Sequence, residues 1–152
     1  MSPAIFHVAD ALESHPPLLW RFDDLHAAGA ICTVGTDWPM PDSPSLFPTL
    51  TALVGKLKVD PVAVRAGQQA KTEDKTPQQL SGEIICRMIT LGAAEALGTD
   101  DKTGSIAVGK KANFIMVDRD LSRGEFDGAS VLKTWFMGDM VWDADGPFRT
   151  SV

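Results

Sequence analysis

Asp37 is the carboxylate whose surroundings could carry chemistry. It follows the run Ala30-Ile31-Cys32-Thr33-Val34-Gly35-Thr36 and precedes Trp38-Pro39. Residues 30–35 are apolar and rich in β-branched side chains, the pattern of a strand buried on both faces. In helix-covered parallel sheets, reactive groups gather at the carboxyl ends of strands, because side chains there converge on one open face. A carboxylate in that place can ligate a divalent cation and take a proton from water whose pKa the cation lowers. An aspartate that caps a turn before Trp38-Pro39 would have the same sequence position, and the two readings carry equal weight. Trp38 is read in two ways as well, as a wall of a substrate pocket or as an aromatic packed under the loop.

The remaining reactive side chains are less organised. The histidines are His7, His15 and His26, with no metal-ligand spacing, and surface or packing roles suit them better. Cys32 and Cys86 lie inside apolar segments without a CxxC pair, as buried thiols of a reducing, cytoplasmic compartment would. Gly109-Lys110 lacks the glycine spacing and the following Ser or Thr of a phosphate loop. Glu83, Glu95, Asp23-Asp24 and Asp100-Asp101 read as solvated charges. Trp135, Phe136 and Trp142 read as core of a β unit, with a docking face as the alternative.

The elements that must position Asp37 are legible from spacing. Leu18, Phe22 and Leu25 recur at helical intervals before Gly29, which suits a helix over 18–28 closed at C′. After the strand, Ser45 is placed to cap a helix carrying Leu46, Leu50, Leu53, Val54 and Leu57 on one stripe. Residues 58–75 form a polar insertion with too few apolar side chains for core. Thr76-Pro77-Gln78-Gln79 supplies a capping box with proline at the first helical position, and Leu80, Ile84, Met88 and Leu91 continue the helix. Gly92 is expected to break it before a last turn, and Gly98 to end it. Short strands are expected at 105–108, 113–117, 131–137 and 140–143, with Gly138-Asp139 as a tight reversal.

Two ordered blocks resemble one family. Gly35-Thr36-Asp37-Trp38-Pro39-Met40, behind the Ala28-Gly29-Ala30 turn and an apolar strand, resembles the last barrel strand of the amidohydrolase superfamily, in its family 3 branch. The segment 90–98, Thr-Leu-Gly-Ala-Ala-Glu-Ala-Leu-Gly, followed by 103–121, is similar to that family's exit from barrel to β domain, and 131–143 to its closing strands. The likeness covers 17–57 and 77–143, and more faintly 2–6. It departs at Asn113, where the family usually has an acidic residue, a difference placed to affect a turn rather than catalysis. The insertion at 58–75 is a second departure.

The resemblance implies an α/β fold: terminal strand–helix units of a (β/α)8 TIM barrel over residues 1–98, then strands of the small C-terminal β-sandwich (composite) domain over 99–152. It also implies a metal-dependent hydrolase of carbon–nitrogen bonds other than peptide bonds, in N-substituted formamides or related small amides. Asp37 would then be metal ligand and proton shuttle, and Trp38 a substrate contact. The cation, with zinc placed before manganese or iron, polarises the carbonyl while the aspartate passes a proton from water to the departing nitrogen. The family's HxH pair and later histidine ligands have no counterpart in this sequence.

Length and charge set the remaining bounds. An intact barrel takes about 250 residues, against 152 here, so the expectation is a carboxyl-terminal part with an incomplete site, inactive alone. A non-catalytic fragment or pseudoenzyme that works by assembling with itself or with a complementary barrel fragment is the alternative. Fourteen Lys and Arg against 20 Asp and Glu give a net charge of −6, which argues against nucleic-acid binding. No apolar run reaches membrane-spanning length, and no signal peptide is recognisable at the start.

Overall fold

The computed structural model describes residues 25–26, 28–39, 43–57 and 75–146. Most of the expected first helix and nearly all of the polar insertion at 58–75 lie outside these. Helix α1 (Phe47–Lys56) is followed by α2 (Pro77–Ile89) and α3 (Leu91–Ala96), then β1 (Phe114–Val117), a 3-10 turn (Leu121–Arg123), β2 (Val131–Phe136) and β3 (Asp139–Asp143). Among the described residues the architecture is thus mixed α/β, with one three-stranded antiparallel sheet in the order β1-β2-β3.

Helix α2 begins as the sequence predicts. The Thr76 side chain accepts from the Gln79 N–H, the Gln79 side chain accepts from the Thr76 N–H at 2.8 Å, and Pro77 occupies the first turn. Both bonds satisfy backbone donors that the helix start leaves open. Two expectations are corrected. Ser45 does not cap α1: Leu46 holds the N-cap position with no side-chain hydrogen bond, and Pro48, the second residue of the helix, has no N–H that would need a cap. Nor does Gly92 break the helix. The break is at Thr90 (φ −122°, ψ −100°), and Gly92 lies buried inside α3. There a Cβ would approach the Arg87 carbonyl oxygen to 3.0 Å, so its small size serves packing rather than a bend. Gly98 (φ +63°) ends α3, with Gly98 N–H donating to Glu95 O and Thr99 N–H to Ala94 O, the paired bonds of a glycine C-cap.

The core forms where α1 crosses α2. Leu50, Leu53 and Leu57 of the predicted stripe meet Ile85 and Met88, and Phe126 from the carboxyl-terminal third completes the cluster. Helix α2 also approaches the 3-10 turn backbone to backbone. A Cβ on Gly82 would stand 2.4 Å from Gly124 N and 2.5 Å from Ser122 O. Gly124 in turn needs its left-handed φ of +77° to close the turn. Exposed ion pairs, Lys75 with Glu83 and Arg87 with Glu95, decorate the same helix.

In the sheet, Phe114 pairs with Trp135 and their rings stack with centroids 4.8 Å apart, while Lys133 faces Asp143 across β2 and β3 at 3.1 Å. The hairpin turn is Met137-Gly138, one residue earlier than expected. Both residues have positive φ, +54° and +93°, as the twist-matched two-residue loop requires. Asn113 accepts a hydrogen bond from the Met137 N–H at 2.7 Å, so the residue that departs from the family pattern does hold a turn. The expected strand at 105–108 is absent. Ile106 and Val108 are fully or almost fully exposed, and Lys110 reaches back to Ser105 Oγ at 2.7 Å to close a loop instead. No described strand lies alongside to supply a ladder, and strand propensity without pairing does not make a strand. Phe136 is 60% exposed, so it is not the core residue its sequence context suggests.

Two measurements test this packing. Gly82→Ala forces a methyl against backbone on both sides and should cost about 3 kcal/mol, read from urea unfolding; an unchanged midpoint would overturn the close approach. Asp118 accepts from Arg119 Nε at 2.9 Å and from Ser130 N–H at 3.1 Å, and these bonds, the guanidinium first, lower its carboxyl pKa to about 2. The folded pKa lies below the unfolded value of about 3.9, so this stabilisation is complete above about pH 5 and lost progressively as pH falls through about 2. An Asp118→Asn variant should show a flatter stability profile over that interval than the parent protein.

Candidate functional site

Residues 30–36 run extended but form no strand, which corrects the expectation of a strand buried on both faces. Cys32 and Val34 pack against the core beneath α1 and α2, whereas Ile31 is 57% exposed. The alternation is that of a strand covered on one side only. Among the described residues, nothing pairs with the backbone of 31–34.

At its amino end the segment is anchored by a glycine cap. Gly29 (φ +79°) donates to His26 O at 3.0 Å and Ala30 to Leu25 O at 2.9 Å, the bond pattern that closes a helix through a left-handed C′ residue. This matches the expected end of the first helix at the residues that are described. At its carboxyl end Thr36 is half-buried, while Asp37 and Trp38 are exposed. Asp37 has φ +57° and the Trp38–Pro39 bond is cis. The Thr36 hydroxyl oxygen accepts from the Trp38 N–H at 3.2 Å.

Asp37 and Trp38 are therefore neighbours on an open surface, with Trp38 60% exposed. No described histidine joins them. His26 lies before the Gly29 cap at the other end of the segment, and His7 and His15 fall outside the described residues. Among the described residues no three His, Cys, Asp or Glu side chains gather as a metal site would require. A cation therefore does not fit the described residues alone.

The structure adds a cleft of about 200 Å³ that spacing did not reveal, between the amino end of the segment and α2–α3, lined by His26, Ile31, Cys32, Arg87, Met88 and Glu95. Arg87 Nη2 donates to both Glu95 carboxylate oxygens, at 2.7 and 2.9 Å. The cleft does not include Asp37. The only sequence trace of it is the eight-residue separation of Arg87 and Glu95, which becomes a contact because the chain breaks at Thr90. Cys32 and Cys86 are free and half-buried. Burial pushes the Cys86 thiol pKa up, and the carboxylates of Asp120 and Glu83 add to that, so Cys86 is a poor nucleophile.

No helix among the described residues is long and apolar enough to cross a membrane. The chain is 36% identical over 72 residues to the N-substituted formamide deformylase of Arthrobacter pascens, a stretch that is 45% of this chain and 13% of that protein. No solved structure matches the chain. A sequence profile of the amidohydrolase family matches residues 7–141, which span both Asp37 and the three-stranded sheet, and the chain belongs to that family.

Proposed function

We propose that the chain is part of a metal-dependent amidohydrolase that hydrolyses carbon–nitrogen bonds of small, non-peptide amides. In this reading residues 1–98 supply the last strand–helix units of a (β/α)8 barrel and 99–152 supply strands of the small β domain. One observation carries it. Asp37 stands exposed at the carboxyl end of an extended segment whose opposite face is packed on helices, where a barrel would present a reactive carboxylate.

The remaining ligands come from outside the described residues. A divalent cation, held by Asp37 together with ligands from outside the described residues, would supply Lewis-acid polarisation of the amide carbonyl. The Asp37 carboxylate would be this chain's ligand to such a cation, and would take a proton from the attacking water and give it to the departing nitrogen. Trp38 offers its exposed ring to the apolar part of the substrate. The relative's name, N-substituted formamide deformylase, points to N-substituted formamides as the first amides to assay.

A second reading, a non-catalytic chain that acts by assembly, draws on exposed apolar residues of the sheet: Ile115 at 51%, Met116 at 41% and Phe136 at 60%. Light scattering on the purified chain should then find dimers or larger species, and a monodisperse, cooperatively melting monomer would count against assembly.

The catalytic reading is tested by combining the chain with a polypeptide that carries the missing histidines, loading zinc, manganese or iron, and assaying N-formyl and N-acyl amines. Asp37→Asn should lower kcat by at least about a hundredfold. Retained activity in that variant would remove Asp37 from the mechanism.

A further inference from the structure

We infer that Thr36 is a positioning residue for Asp37, an inference that rests on the catalytic reading of Asp37 given above. The observation is the hydrogen bond from the Trp38 N–H to Thr36 Oγ1, 3.2 Å long, which spans Asp37. Asp37 itself sits at φ +57°, in the left-handed region that disfavours residues bearing a Cβ, although aspartate tolerates it better than most. A residue in that region keeps its conformation only when its neighbours hold it there. The bond over Asp37 is such a restraint.

The alternation of the segment shows why residue 36 is suited to the task. Cys32 and Val34 face the core, and Thr36, two residues further on and half-buried, continues that inward row. Thr36 thus lies two residues beyond Val34, which packs on the core. Its hydroxyl accepts across the turn from the backbone beyond Asp37. Asp37, at φ +57°, leaves that alternation and stands exposed just beyond the last inward residue. The Thr36 hydroxyl links the inward row to the exposed carboxylate, without needing to touch substrate or cation.

Thr36→Val keeps the β-branched shape and removes the acceptor, while Thr36→Ser keeps the acceptor and removes the methyl. Amide hydrogen exchange on the full 152-residue chain reads the restraint directly. In Thr36→Val the Trp38 amide should exchange about fivefold faster, the equilibrium worth of one hydrogen bond, with the Leu80 amide of α2 unchanged as the internal reference for global stability. Thr36→Ser should restore the parent rate. Unaltered Trp38 exchange in Thr36→Val would overturn the proposal.

The reconstituted amide-hydrolysis assay supplies the second arm. Thr36→Val should lower kcat about fivefold with KM unchanged, and Thr36→Ser should recover it. If Asp37→Asn is inactive while Thr36→Val turns over like the parent, positioning by Thr36 is wrong and the role of Asp37 stands. If Asp37→Asn is active, the catalytic reading itself falls and takes the positioning role with it, whatever the exchange rates show.

Discussion

The described structure depends on helix α2 being close-packed from more than one side. Ile85 and Met88 fill the space against Leu50, Leu53 and Leu57 of α1, and Gly82 lets the backbone of residues 122–124 lie against the helix. That contact brings Phe126 to a fully buried position in the same cluster. Burying one such aromatic is worth roughly 1.5–3 kcal/mol, whereas an exposed ion pair such as Lys75–Glu83 contributes about 0–1 kcal/mol. Apolar packing and the missing Cβ of one glycine, rather than the charges on α2, hold the carboxyl-terminal third against the helices.

The extended segment that carries Asp37 is half-satisfied by the same packing. Its inward row rests on the core, and among the described residues the backbone of 31–34 has no ladder partner. This explains why an apolar, β-branched run is not a strand: a ladder requires a neighbour, and side-chain preference alone does not provide one. The carboxyl end is instead shaped locally, through the left-handed backbone of Asp37 and the hydroxyl of Thr36.

The β unit shows a different balance. Its hairpin turn is shaped locally by positive φ at Met137 and Gly138, and is held from 24 residues away by the Asn113 side chain, which accepts from the Met137 N–H. Its Phe114–Trp135 stack and Lys133–Asp143 pair follow from antiparallel register. The Asn113 oxygen, just before β1, thus ties the hairpin turn to the neighbouring strand.

The sequence by itself determined the features that depend on neighbours a few residues away. These include the capping box at Thr76–Gln79, the apolar stripe of α1, the ends at Gly29 and Gly98, and the side-chain patterning, though not the pairing, of three of the four expected strands. Each is a matter of side-chain period or of one backbone donor meeting one nearby acceptor. Tertiary structure alone decided what depends on distant partners: that 30–35 and 105–108 lack ladders, that Thr90 rather than Gly92 divides the helices, and that Phe126 enters the core. It also decided that Arg87 and Glu95 close a cleft apart from Asp37. Those outcomes turn on which surfaces the chain brings together, and a pattern of residue types carries no record of the far side of a contact.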